Sequence, residues 1–222
     1  MTSELKLTRS FVSSQTTAHR PQVTDHRKAV EVRNFVDIHT REELYQWYML
    51  YHDKADELWI RSNRAERPVE GVVGYIDAVE VALCFGWIDS VQKRIDAGKP
   101  IQRYTPRRKG CIWCEQNIER CRRLIKIGEM TPAGLAVLPD MDPAHFVFYD
   151  WVIDALKADP LAWDNYQSFP DAYKRIKIFR IQHYSDTRRP DEAKKALRRF
   201  VEDAHNGKMQ GGWSDYGRLI DY

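Results

Sequence analysis

The chain has 222 residues, 43% of them hydrophobic, which is enough for one well-filled core and too apolar for a disordered protein. No window approaches the roughly 20 apolar residues that span a bilayer, and "MTSELKLTRSFVSS" lacks the apolar run of a secretory signal; both features predict a cytoplasmic protein without a transmembrane segment. The net charge of +3 implies no partner by itself, but between Gln92 and Lys126 eleven lysines and arginines face three carboxylates, so that stretch is +8 and the remainder is −5. The concentrated positive field points to an anionic ligand or partner.

Residues 1–33 are rich in Ser, Thr, Arg and His and show little periodicity, which predicts a mobile or irregular lead-in. Thr40 and Glu43 form a capping box, and Leu44, Trp47 and Tyr51 recur at helical spacing, so a helix is expected over 40–53. "ELWIRSN" has the aromatic and β-branched content of a short strand. Ile76, Val79 and Leu83 place a second helix over 75–85, with Gly86 as its left-handed cap. The period then changes. In "WIDSVQKRID", Trp87, Val91 and Ile95 fall on one strand face, and after the turn "AGKP" the segment "IQRYTPRR" returns antiparallel and ends at Pro106.

Beyond Trp113 the chain reads as helical. Ile118, Cys121 and Leu124 form an apolar stripe that stops at Gly128, and Thr131-Pro132, Asp142-Pro143, Phe169-Pro170 and Arg189-Pro190 each introduce a helix. The Asp142-Pro143 helix is expected to carry Phe146, Val147, Asp150, Trp151 and Asp154. Gly207 closes the last helix, and "GGWSDYGRLIDY" is an aromatic tail. The expected fold class is α+β: a small antiparallel sheet packed on helices, with a helical C-terminal extension. The segments are a flexible 1–33, an α+β core over 34–142, a helical portion over 143–208 and the tail over 209–222.

The stretch "EVALCFGWIDSVQKRID" followed by "YTPRRKGCIWCEQNIERCRRLIKIGEMTPAGLAVL" resembles the signature region of the YdeI/OmpD-associated family, often labelled bacteriocin-protection proteins. The likeness rests on Leu83 to Asp89, Thr105 to Arg108, Trp113 to Asn117 and Gly128 to Leu135, and extends more loosely over about residues 40–208. It implies a non-enzymatic stress- or bacteriocin-protection protein and no particular reaction. Relatives in that family usually carry serines near the positions of Cys111 and Cys114, so a redox or metal role for these cysteines would be peculiar to this chain.

Four features converge in "PRRKGCIWCEQN". Cys111 and Cys114 have CxxC spacing at an expected strand-to-helix junction, where Arg107, Arg108 and Lys109 would depress a thiol pKa. The preceding strand alternates, however, where a thioredoxin-like parallel sheet would be continuously apolar. A structural zinc needs four ligands, and only Cys121 adds a third nearby. With no signal sequence the four cysteines read as reduced thiols, Cys84 as a buried small hydrophobe. No cofactor or metal is called for.

The anion-binding candidates are Arg103, Arg107, Arg108 and Lys109, at the mouth of the following helix, since arginine suits bidentate contact with phosphate or carboxylate. The competing reading pairs these cations with Asp89 and Asp96 and locks the hairpin. Arg120, Arg122, Arg123 and Lys126 read as a solvated helix face. Trp87, Tyr104 and Trp113 flank the corner, as stacking surfaces if exposed and as core if buried. Enzyme readings have little to rest on: no nucleophile setting, no glycine-rich phosphate loop, and at most an Asp89/Arg107 acid/base pair. The expected function is binding of an anionic ligand or an acidic protein surface at Arg103, Arg107 and Arg108, with nucleic acid as the first alternative and an Asp89/Arg107 enzyme as the second.

Overall fold

The computed structural model describes residues 31–67, 69–95, 99–220 and 222. Most of the predicted lead-in, the hairpin turn at Ala97-Gly98 and Asp96 lie outside the described residues.

Helix α1 (Arg41–Tyr51) starts where its capping box predicts. Thr40 Oγ1 accepts the Glu43 N–H at 3.1 Å, and the Glu43 carboxylate reaches back to accept the His39 N–H at 2.8 Å. Strand β1 (Leu58–Asn63) follows, then a two-residue β2 (Val73–Gly74), helix α2 (Tyr75–Cys84), and the hairpin of β3 (Trp87–Ile95) and β4 (Lys99–Pro106). The sheet order is β2-β1-β4-β3. β4 runs antiparallel to both neighbours, while β2 joins the end of β1 in parallel (Ser62 opposite Val73), so the fold is α+β with a mixed sheet. A two-residue strand is too short to show alternation, which is why the sequence implied a purely antiparallel sheet.

β3 departs from the alternating reading at a bulge. Asp89 faces Tyr104 and Gln92 faces Gln102, so one extra residue on β3 switches its faces. Trp87 is therefore buried at 1% exposure while Val91 is 41% exposed. The buried Gln102 amide stabilises this bulge by donating to the carbonyls of Ser90 and Val91, each at 3.2 Å. α2 lies in the centre of the first core, with every residue from Ala78 to Cys84 buried. Tyr48, Phe85 and Trp87 pack around its C-terminal end, and the Trp87 indole N–H donates to the His52 carbonyl at 3.1 Å. Gly86 turns the chain from helix to strand at φ 76°, a conformation that disfavours any side chain.

Helix α3 (Glu115–Lys126) buries Cys121 and Leu124 on this core, and the short α4 (Pro132–Leu135) is capped by Thr131. The Asp142-Pro143 signal produces only a three-residue 3-10 turn, Pro143–His145, and α5 (Asp150–Lys157) begins later. The predicted continuous helix is interrupted because the buried Gln182 holds the intervening backbone: its amide accepts the Tyr149 N–H and donates to the Val147 carbonyl, both at 3.0 Å. Helices α6 (Pro160–Ser168), α7 (Asp171–Asp186) and α8 (Pro190–His205) complete a second hydrophobic cluster around Tyr173 and Phe200. α6 was not singled out in the sequence, although Asp159-Pro160 carries the same cap-and-proline signal, with Asp159 accepting the Ala162 N–H. The tail docks back: Trp213 and Leu219 are buried in the second cluster, and Arg218 reaches Asp77 and Glu80 of α2.

Candidate functional site

The basic corner does not assemble as one anion site. Arg103 is held in an ion pair with the fully buried Glu57, with guanidinium contacts of 2.6 and 2.8 Å. Arg107 lies over the Trp113 ring at 3.3 Å and donates to Cys111 Sγ at 3.5 Å, so it is a packing residue; its Nε is buried with no hydrogen-bond partner. Arg108 and Lys109 are exposed. α3 starts only at Glu115, beyond the corner, and its first turn holds a buried carboxylate already matched by Arg122 and Arg175. An anion at that helix mouth would have to displace these pairs. Asp89 is not paired with Arg107 but accepts the Tyr75 hydroxyl at 2.8 Å. Trp87, Tyr104 and Trp113 are core residues, so these three form no stacking platform beside the corner.

The expected solvated face of α3 is also largely buried. Arg120 pairs with Asp215, Arg122 with Glu115 and Glu119, and Arg123 with Glu80. Burial pushes the Glu80 carboxyl above its usual range despite the opposing fields of Arg218 and Arg123. Burial likewise pushes the Cys84 and Cys121 thiols up to about 12, which keeps both protonated. Cys114 occupies the N-cap of α3 without a side-chain capping bond.

Asp89 does line a cleft, of roughly 680 Å³. The loop after β1 supplies Arg64, the start of α2 supplies Tyr75, and the β3 bulge begins at Asp89. Opposite them, the first turns of α3 supply Asn117 and Arg120, and the docked tail supplies Asp215. The two walls differ in how fully their charges are spent. Arg120 forms a bidentate pair with Asp215 at 2.6 and 2.9 Å, and its remaining amino group donates to Asn117 at 2.6 Å. Gln116 donates to Asp215 as well, at 2.9 Å. This wall is closed and rigid.

The facing wall is open. The Arg64 guanidinium lies 3.9 Å over the Tyr75 ring and donates to the side-chain Oε1 of Gln102 at 3.3 Å, leaving N–H groups for the cleft. Asp89 uses Oδ2 for Tyr75, and among the described residues no hydrogen bond occupies Oδ1. The Tyr75 phenol is pushed up to about 12, first by burial, then by the charge and hydrogen bond of Asp89, with Arg64 and Arg120 opposing. It is therefore a donor at neutral pH. The charge of Asp89 also reaches Tyr48 and Tyr104, two fully buried phenols whose hydroxyls have no hydrogen-bond partner. Their ionisation is suppressed first by burial.

Sequence reasoning identified Asp89 but not Arg64, Tyr75, Asn117, Arg120 or Asp215. No sequence signal marks these five; the nearest is Glu80, a carboxylate in the apolar run "VEVALC" that demands a buried cationic partner, but its partners are Arg123 and Arg218.

Residues 36–137 match the family model described as Domain of unknown function (DUF8412). That span is somewhat under half of the chain and runs from before α1 to just past α4, so it carries Arg64, Tyr75, Asp89, Asn117 and Arg120 but neither the tail nor α5–α8. No curated protein and no solved structure matches the chain.

Proposed function

We propose that this is a binding protein whose cleft takes a small zwitterionic molecule, amino-acid-like in its charge pattern. The observation that carries the reading is the open wall. Asp89 and Arg64 flank the same tyrosine, one as an acceptor with a free oxygen and the other as a planar donor. Because Arg120 and Asp215 neutralise each other, the charges left facing a ligand are Arg64 against Asp89 and Glu66, which suits a molecule bearing both signs rather than a polyanion. The phenol of Tyr75, protonated at neutral pH, favours recognition over acid/base chemistry. This keeps the ligand-binding class expected from the sequence but moves the site from the arginine corner to the cleft. Any protective role of the kind implied by the YdeI/OmpD resemblance would then act through capture of such a ligand.

Thermal-shift and calorimetric titration with amino acids, their amides and simple anions tests the proposal. A zwitterion present at about 100 times its Kd should stabilise the folded state by about 2.7 kcal/mol. Asp89→Asn, which keeps the shape and removes the charge, should lose at least about tenfold in affinity, equivalent to about 1.4 kcal/mol, while remaining folded. Absence of any response, or equal binding by wild type and Asp89→Asn, would remove the cleft from consideration.

A further inference from the structure

A second recess lies away from this cleft, between α7 and α8, with a volume of about 240 Å³. Lys177 and Arg180 enter it from α7, and Lys195 and Arg199 from α8, over a floor that includes Ile181 and Ala196. Four cations thus converge on a small concave surface, although α7 and α8 lie outside the strongly basic stretch of the sequence. Two carboxylates approach them, and both are engaged elsewhere or at the margin. Glu192 sits on the rim with its carboxylate turned to Arg189 at 3.2 Å, and Asp203 meets Arg199 at 3.7 Å while also accepting from Gln210 at 2.9 Å. Among the described residues Lys177, Arg180 and Lys195 have no carboxylate partner: Lys177 donates to the Gly211 carbonyl at 2.7 Å and Arg180 to the Tyr184 hydroxyl at 2.9 Å.

The contrast with the rest of the molecule is informative. Elsewhere five buried or half-buried arginines are matched to carboxylates, namely Arg103, Arg120, Arg122, Arg123 and Arg218, while Arg107 is covered by the Trp113 ring. In this groove four cations face one carboxylate on the rim, Glu192. The Lys177 ammonium registers the crowding: it is lowered to about 8, first by burial and then by Arg180 and Arg199, with Asp203 opposing. An external anion would supply the missing counter-charge.

We propose that the groove between α7 and α8 binds the phosphate group of a small phosphorylated ligand, held by Lys177, Arg180, Lys195 and Arg199. The chemistry fits phosphate better than carboxylate, because two guanidiniums and two ammoniums offer more charge and more N–H donors than one carboxylate can use. The small volume favours a compact terminal phosphate over an extended polynucleotide backbone, which would need a track of cations rather than one cluster. Tyr184, on the wall of the groove, offers an aromatic surface beside the phosphate position, although the guanidiniums of Arg180 and Arg189 already lie 5.5 and 4.7 Å from its ring.

The test uses the full chain, with inorganic phosphate, adenosine monophosphate, acetate and a short single-stranded oligonucleotide as probes in calorimetry and thermal shift. The expected result is stabilisation by phosphate and by the monophosphate but not by acetate. Affinity should fall at least tenfold in Lys195→Gln/Arg199→Gln, whose exposed side chains can be replaced without disturbing the core, and should fall similarly in Lys177→Gln/Arg180→Gln. Asp89→Asn should bind the phosphate probes like the wild type, which separates this groove from the cleft. The same response to acetate as to phosphate, or undiminished phosphate binding in the Lys195→Gln/Arg199→Gln variant, would overturn the proposal. An oligonucleotide that binds far more tightly than the monophosphate, with affinity falling steeply as salt rises, would overturn the compact ligand in favour of a nucleic-acid track.

Discussion

Arg107 and Arg108 are neighbours in sequence and opposites in structure. One guanidinium is stacked on Trp113 against the first core, the other is in solvent. Truncating Arg107 removes the cation–π contact and the packing of its stem, so Arg107→Ala should cost about 1–2 kcal/mol in urea unfolding. Arg108→Ala should stay within about 0.5 kcal/mol of wild type. Equal effects would mean that the stacking contributes nothing. No local rule distinguishes these two residues in the sequence, because what differs is whether an aromatic ring six positions after Arg107 folds back beneath it. Asp89 was legible as a candidate because a carboxylate beside a basic corner needs a partner. Its true partner, Tyr75, could not be read, because it stands at the first position of a helix recognised only for its apolar stripe.

At the level of elements, start and stop chemistry was the most readable part of the fold. Thr40, Thr131 and Gly86 each end or begin an element where predicted, since the cap bond or left-handed turn depends on the residue itself. Features that depend on a distant partner were not readable. The β3 bulge needs the Gln102 amide, and the break before α5 needs Gln182 from α7. Packing of α4 on α2 shows the same dependence. A Cβ on Gly134 would stand 2.3 Å from the Cys84 carbonyl oxygen, a backbone atom fixed at the end of α2. The Thr131 hydroxyl donates to that same oxygen at 2.6 Å. Gly134→Ala should therefore force the two helices apart and cost about 1–3 kcal/mol, despite alanine's higher helix propensity. A neutral or stabilising Gly134→Ala, measured by denaturant midpoint, would show that the contact relaxes freely.

Across the whole molecule, the tail is tied to the α+β core through charge. Asp215 closes on Arg120, Arg218 on Glu80 and Asp77, and the Tyr222 hydroxyl donates to Glu119 at 2.6 Å. Asp215→Ala strands the Arg120 guanidinium, which is only 7% exposed, and should cost about 3–5 kcal/mol. Replacing both partners with neutral residues of similar size, Arg120→Met/Asp215→Asn, should recover most of that loss, since no charge is then left unpaired and asparagine tolerates the left-handed backbone at this position (φ 48°). If the double replacement is as damaging as Asp215→Ala, the pair holds the tail by geometry rather than by neutralising a buried charge.

The separation of these two residues along the chain also bears on synthesis. Arg120 and Asp215 stand 95 positions apart, so at about 5–20 residues per second α3 waits roughly 5 to 20 seconds for its counter-charge to be translated. Until then α3 cannot bury Arg120 without paying for an isolated ion, and the α+β half has an incentive to stay loosely assembled on the ribosome. The tail thereby sets an order of assembly: the Arg120 wall of the cleft can close only after Asp215 has been made.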